Sequence, residues 1–144
     1  MKETLLTVLE NTRLADGIYR LRLAGDTSAI TAPGQFVNLK LSGFFLRRPI
    51  SVCDWENGEV TLIYKVLGHG TEAMTGMAVG TALDVLTGLG NGFDLSRSGE
   101  HPLLVGGGVG IPPLYGLAKR LTAQGKRVTA VLGFNRKSEI FLAE

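Results

Sequence analysis

The stretch Leu46-Arg47-Arg48-Pro49-Ile50-Ser51 (LRRPIS) sets two adjacent arginines against a proline and then runs into a strand-like segment. Around it the chain is mild, apolar and glycine-rich, and no acidic residue stands between Asp26 and Asp54 to balance the pair. Arginine offers a planar fork of donors that suits a phosphate, and it stays charged when partly buried. Proline removes a backbone donor and fixes φ, which stiffens the presentation of Arg48. Ser51 carries a hydroxyl that both donates and accepts, as the edge of a heteroaromatic ring requires. Alone the pattern is weak, because arginine pairs where a strand begins are commonly just solvated.

Two further stretches carry chemistry of the same kind. In LIYKVLGHGTEAM (residues 62–74), Ile63, Tyr64 and Lys65 end a strand, and Gly68, Gly70 and Thr71 open a short helix. Free N–H groups at such a start attract phosphate, glycines allow close approach, and Lys65 adds a point charge. The plainer alternative is a strand-to-helix turn whose glycines serve geometry alone. In LLVGGGVGIPPL (residues 103–114), Gly108-Val109-Gly110 follows an apolar strand and precedes a helix. The dinucleotide fingerprint G-x-G-x-x-G is not met, since Pro113 takes the third glycine's place. No acid follows about 20 residues later to hold a ribose; Ala130 is near that spot.

The segments around these motifs fall into two kinds. Strand candidates are 4–10, 17–24, 34–41, 49–55, 59–66 and 81–88, separated by turn signals at Asp16-Gly17, Pro33-Gly34 and Asn57-Gly58. Asn57-Gly58 is a strong hairpin signal, because a type I′ turn needs positive φ at both positions. A short helix is expected over 71–77, capped by Thr71. Evenly spaced strands with little helix predict a six-stranded antiparallel β-barrel. After Gly99 the order becomes strand (101–108), helix (111–125), strand (126–134) and the start of a second helix at 137–144, a partial α/β nucleotide-binding unit. The expected organisation is a barrel over 1–98 and an incomplete α/β domain over 99–144, with the boundary in Ser96–His101.

Composition narrows the classes. With 144 residues, 44% of them hydrophobic, the chain can build a core and is not disordered. A net charge of +2 without a basic stripe argues against nucleic acid. Apolar runs break well before membrane-spanning length and no leader opens the chain, so a soluble protein of the cytoplasm is expected. The single cysteine, Cys53, forms no internal disulfide and by itself holds no metal, since zinc and iron–sulfur sites take about four ligands. Its place in ISVCDW makes it part of a strand and suits a small buried core residue, with a reactive thiol as the alternative. His69 and His101 lack a partner acid nearby in sequence and read as surface or turn residues.

Together the three stretches resemble a known family. Arg48-Pro49-Ile50-Ser51 is similar to the arginine-x-tyrosine-serine flavin motif of the ferredoxin reductase-like superfamily, and Gly108 to Pro113 to its G-x-G-x-x-P nucleotide motif. LRRPIS, IYKVLGHGT and LGNGFDL resemble, in order and spacing, the electron-transfer subunits of type B dihydroorotate dehydrogenases. The resemblance implies an FAD-binding barrel followed by an NAD-binding domain. It implies that Arg48 grips the FAD pyrophosphate, with Pro49 fixing it. Ile50 stands where the superfamily has tyrosine, so stacking is lost, and Ser51 bonds the flavin's reactive edge. Ile63, Tyr64 and Lys65 flank the ring and ribityl chain, Gly70 and Thr71 hold phosphate, and Gly108 and Gly110 face NAD. Arg47 is left outside that set, and Gly90-Asn91-Gly92-Phe93 is a structural turn.

The family continues past residue 144 with the rest of the NAD site and a cysteine-rich stretch for a two-iron cluster, for which this sequence has no ligands. The chain is therefore expected to be a truncated form in which FAD binding survives best, NAD binding is incomplete, and bare sheet favours self-association. The implied function is electron transfer between a catalytic, FMN-containing dihydroorotate dehydrogenase subunit and NAD in pyrimidine biosynthesis. Two alternatives stand beside it: a reductase subunit of a ferredoxin-, sulfide- or hydrogen-linked complex, and a docking barrel that has lost its flavin.

Overall fold

The computed structural model describes residues 1–144 throughout. Six strands, β1 (Lys2–Ala15), β2 (Ile18–Ala24), β3 (Phe36–Leu39), β4 (Arg48–Glu56), β5 (Glu59–Lys65) and β6 (Ala82–Leu89), close into an antiparallel barrel. Their order around it is β1-β2-β5-β4-β3-β6, with β6 pairing back onto β1. Alternation fixes the faces. Leu21 and Leu23 of β2 point into the core, while Arg20 and Arg22, alternating with them, bind Glu10 on the outside at 2.8 and 3.2 Å. Val37, Leu39, Val52, Val60, Leu62 and Tyr64 complete the interior from the neighbouring strands.

Several boundaries differ from expectation, each for a local reason. β1 runs twice as long as the apolar alternation suggests, because irregularities at Val8/Glu10 and Arg13/Ala15 absorb the polar stretch and keep it paired with β2. β3 is shorter than 34–41. Gly34, at φ 94°, packs on the Phe93 ring, and the Gln35 side chain is spent on the loops, accepting from Thr31 N at 2.8 Å and donating to Gly90 O at 3.1 Å. The hairpin at Asn57-Gly58 forms as its sequence requires, with φ of 52° and 77°.

A short helix α1 (His69–Met74) covers one end of the barrel. It begins two residues before the expected 71–77 segment, and Thr71 is not its capping residue. Gly68 holds that position and has no side chain to offer, so Thr71 reaches back from the third helical position, its hydroxyl accepting from Gly68 N at 3.1 Å and Leu67 N at 2.9 Å.

The remaining chain forms β7 (Leu103–Gly107), a 3-10 turn at Gly108–Gly110, α2 (Pro112–Ala123) and β8 (Thr129–Gly133), with β7 and β8 parallel. α2 buries Leu117 and Leu121 against Leu104 on one face of this small sheet. On the other face Leu103, Val105 and Val131 are 62%, 67% and 52% exposed, although parallel sheets are ordinarily covered on both sides. The helix expected from Lys137 is only a 3-10 turn at Lys137–Glu139. The chain turns instead toward the barrel: Asp16 N donates to Ser138 O at 2.9 Å, and Phe141 is buried with Ile18, Cys53, Ile63 and Ile111. Burying that aromatic ring outweighs a further turn of helix at the surface.

The two parts are joined along α2 and β4. Gly116 lies so close to β4 that a Cβ would sit 2.7 Å from the Cys53 carbonyl oxygen. Lys119 Nζ reaches Asp54 Oδ2 at 2.8 Å, and the Arg120 guanidinium lies 3.7 Å above the Trp55 ring. None of the helices is long and apolar enough to cross a membrane.

Candidate cofactor site

The start of β4, the end of β5 and the first turn of α1 converge on a cavity of about 220 Å³. Arg48, Pro49, Ile50 and Ser51 line it from β4, Ile63, Tyr64 and Lys65 from β5, and Thr71 from α1. Eight of the eleven residues singled out in the sequence thus meet at one place. Leu67 and Val109, which lie in the same stretches but outside those eleven, complete the wall.

Arg48 and Arg47 have opposite fates. Arg47 is consumed by the barrel: it donates to the carbonyls of Asn38 and Asp84 and pairs with the Glu3 and Asp84 carboxylates, each at 3.0 Å. Arg48 is in no ion pair. Its guanidinium lies 5.2 Å from the Phe44 ring centroid, donates to Leu46 O and rests against Gly70, where a Cβ would come within 2.2 Å of Nε. A second hollow, of about 510 Å³, begins there. It is lined by Phe44 and residues 67–71, and it shares Arg48, Leu67 and Thr71 with the first. A guanidinium in no ion pair thus stands at the waist of a two-part cleft with no acid among the lining residues, and such a group offers charge-assisted donors to an anion.

The flanking residues divide by face. Pro49 is exposed beside Asn38 of β3, and Ser51 carries a hydroxyl with no hydrogen bond inside the chain. Ile50 packs partly on the barrel core, and Ile63 packs into the Cys53–Phe141 cluster. Tyr64 turns its ring into the barrel core, stacked on Tyr19 at 5.6 Å, and is almost wholly buried where it borders the cavity. Its hydroxyl donates to Asn11 Oδ1 at 2.9 Å, and burial pushes its pKa well above the ordinary phenol range. Asn11 in turn donates to the carbonyls of Met74 and Met77. Tyr64 therefore fixes α1, and with it Gly70 and Thr71, over the barrel end. The polar run Glu10–Arg13 hid this role of Asn11 in the sequence.

Gly108 and Gly110 stand apart from the cavity. Only Val109 between them reaches it, while Gly108 borders a separate crevice of about 590 Å³ at the carboxyl ends of β7 and β8. Gly110 lines neither. Lys65 lines both spaces and pairs with Glu139 at 3.5 Å. Cys53 lies behind the cavity, its thiol pushed up to about 12 by burial and the neighbouring Asp54. No group of three or more His, Cys, Asp or Glu side chains is placed to hold a metal ion.

A six-stranded antiparallel barrel with this cleft at its junction to a βαβ unit is the flavin-binding type of fold found in ferredoxin reductase-like proteins. The cytochrome P450 reductase GcoB of Amycolatopsis superposes with a TM-score of 0.88 at 24% identity, over 99% of this chain and 46% of that one. An NADH-dependent reduced ferredoxin-NADP oxidoreductase superposes with a TM-score of 0.87 at 32% identity, over 97% and 52%. No protein-family model matches the chain. In sequence it is similar to the electron transfer subunits of dihydroorotate dehydrogenase B (NAD(+)). It is 45% identical to that subunit of Bacillus pumilus over 152 aligned positions, and 43% identical to that of Fusobacterium nucleatum over 143. The chain spans 59% and 55% of those relatives' lengths.

Proposed function

We propose that the chain is the FAD-binding part of an electron-transfer subunit serving an NAD-linked dihydroorotate dehydrogenase, with its partner a catalytic, FMN-containing subunit and its setting the cytoplasm. The observation that carries this reading is the convergence of Arg48–Ser51, Ile63–Lys65 and Thr71 on one cavity around an unpaired guanidinium. In this reading residues 1–98 form the flavin-binding unit and 99–144 belong to a nucleotide-binding one.

Each residue then has a task. Arg48, kept from acids and set by Pro49, neutralises the diphosphate. Gly70 leaves the space that the guanidinium occupies, and Thr71 stiffens the α1 start beside it. Ile50 and Ile63 present an apolar wall and exclude water, and Ser51 offers its free hydroxyl to the ring edge. Lys65 adds a positive charge at the far side, and the turn at Gly108–Gly110 approaches NAD. The flavin, when bound, supplies the exchange of electrons, while the chain binds and orients it. The 32% identity to a ferredoxin-NADP oxidoreductase supports one alternative, a reductase subunit with a ferredoxin-type partner.

Adding FAD to the purified chain and following the visible spectrum and fluorescence quenching tests the reading. Saturable binding is expected, and Arg48→Ala should weaken it about 10- to 100-fold, the size of a lost charge-assisted contact. Unchanged affinity in that variant would remove Arg48 from the site, and no binding at all would leave a flavin-free docking barrel.

A further inference from the structure

Lys65 belongs to two spaces at once. With Leu67 and Val109 it forms the wall common to the β4/β5 cavity and the crevice at the ends of β7 and β8. Its ammonium is held by Glu139 at 3.5 Å, with the two side chains 28% and 17% exposed. Glu139 is not part of the barrel. The segment that carries it is fastened there by the Asp16–Ser138 backbone bond and the buried Phe141 ring. The charge at this wall therefore has two sources, one from β5 and one from the far end of the chain. Arg48 and Lys65 are the only charged residues lining the cavity, so Glu139 decides whether Lys65 counts there as a full positive charge or a largely compensated one.

We propose that Glu139 is a positioning residue that sets, through Lys65, how strongly the cavity favours the reduced over the oxidised form of a bound flavin. The inference rests on the flavin reading above. Two-electron reduction of FAD with uptake of one proton leaves one more negative charge on the ring than the oxidised form carries. A cation beside the ring stabilises that charge, and a carboxylate paired with the cation weakens the effect. The wall is partly exposed, so solvent and salt screen the interaction without abolishing it.

The test is the midpoint potential of FAD bound to the chain, titrated with dithionite against a reference dye, in wild type, Glu139→Gln and Lys65→Met. Glu139→Gln should raise the reduced-to-oxidised affinity ratio about tenfold, which is about 30 mV for a two-electron couple. Lys65→Met should shift it the opposite way, and adding Glu139→Gln to Lys65→Met should restore much less than it adds in wild type. If Glu139→Gln fails to fold, Glu139→Asp carries the test: its shorter acid withdraws from Lys65 and should give a smaller rise. Equal potentials across FAD-loaded variants would overturn this inference and leave the flavin reading intact. A wild-type chain that takes up no FAD would overturn both.

Discussion

Gly70 and Arg48 occupy what is nearly one volume: a methyl group on Gly70 would lie 2.2 Å from Arg48 Nε and 2.6 Å from Nη2. The guanidinium is therefore seated in a notch that only glycine leaves open. The pairing joins two motifs 22 positions apart, one at a strand start and one in a helix.

That relationship separates binding from stability. Gly70→Ala should move Arg48 and not the helix, because the far end of a flexible side chain yields more easily than backbone. Alanine favours a helix over glycine by roughly 0.5–1 kcal/mol. The melting temperature should hold or rise slightly, while FAD affinity falls about tenfold, or about 1.4 kcal/mol. Calorimetry beside fluorescence titration checks both; a variant that binds FAD as wild type does would mean that the guanidinium does not need the notch.

Glu10 gives the fold a definite acid response. Hydrogen bonds from Arg20, then from Thr12 and Arg22, lower its pKa from the ordinary carboxylate range to about 2. A carboxyl group with a lower pKa folded than unfolded stabilises the fold fully above its unfolded value, and that contribution is lost as pH falls through the folded one. Glu10→Gln should therefore melt a few degrees below wild type at pH 7, as expected for a partly exposed ion network worth about 1 kcal/mol. The gap should close progressively between about pH 4.5 and pH 2. A difference in melting temperature independent of pH would show that the charge is not what matters.

Most of the barrel and cavity was legible because both rest on local rules. Period-two alternation marks β2 and β5, Asn57-Gly58 marks its hairpin, and proline after Arg48 marks a fixed strand start. What escaped depends on residues distant in sequence. Alternation along β5 sets Tyr64 on the face of Val60 and Leu62, but nothing near it says that its hydroxyl meets Asn11 of β1, a partner 53 positions away. Thr71 reads as a cap until Gly68 is seen to hold that position. The expected helix at 137–144 gives way to burial of Phe141 against Ile18 and Ile63, a contact across more than 70 positions. The pairing of Lys65 with Glu139 follows from that same fold-back.

Cys53 reports on the seam between barrel and α2. At pH 8 a thiol whose pKa is about 12 is ionised to only about one part in 10⁴, and the residue is also buried, so a disulfide reagent should leave it untouched in the native chain. Gly116 is what lets α2 lie on the Cys53 carbonyl, and here, unlike at Gly70, the obstructing atom is backbone. Gly116→Ala should therefore lift α2 from β4 at a cost of about 1–3 kcal/mol, stretching the Lys119–Asp54 and Arg120–Trp55 contacts. The barrel, closed on itself by six strands, should keep its melting transition. Labelling of Cys53 should then rise at least tenfold, because opening of the seam becomes easier by an amount of that order. Labelling as slow as in wild type would mean that α2 adjusts without leaving β4, and that the close approach at Gly116 is not what holds the two parts together.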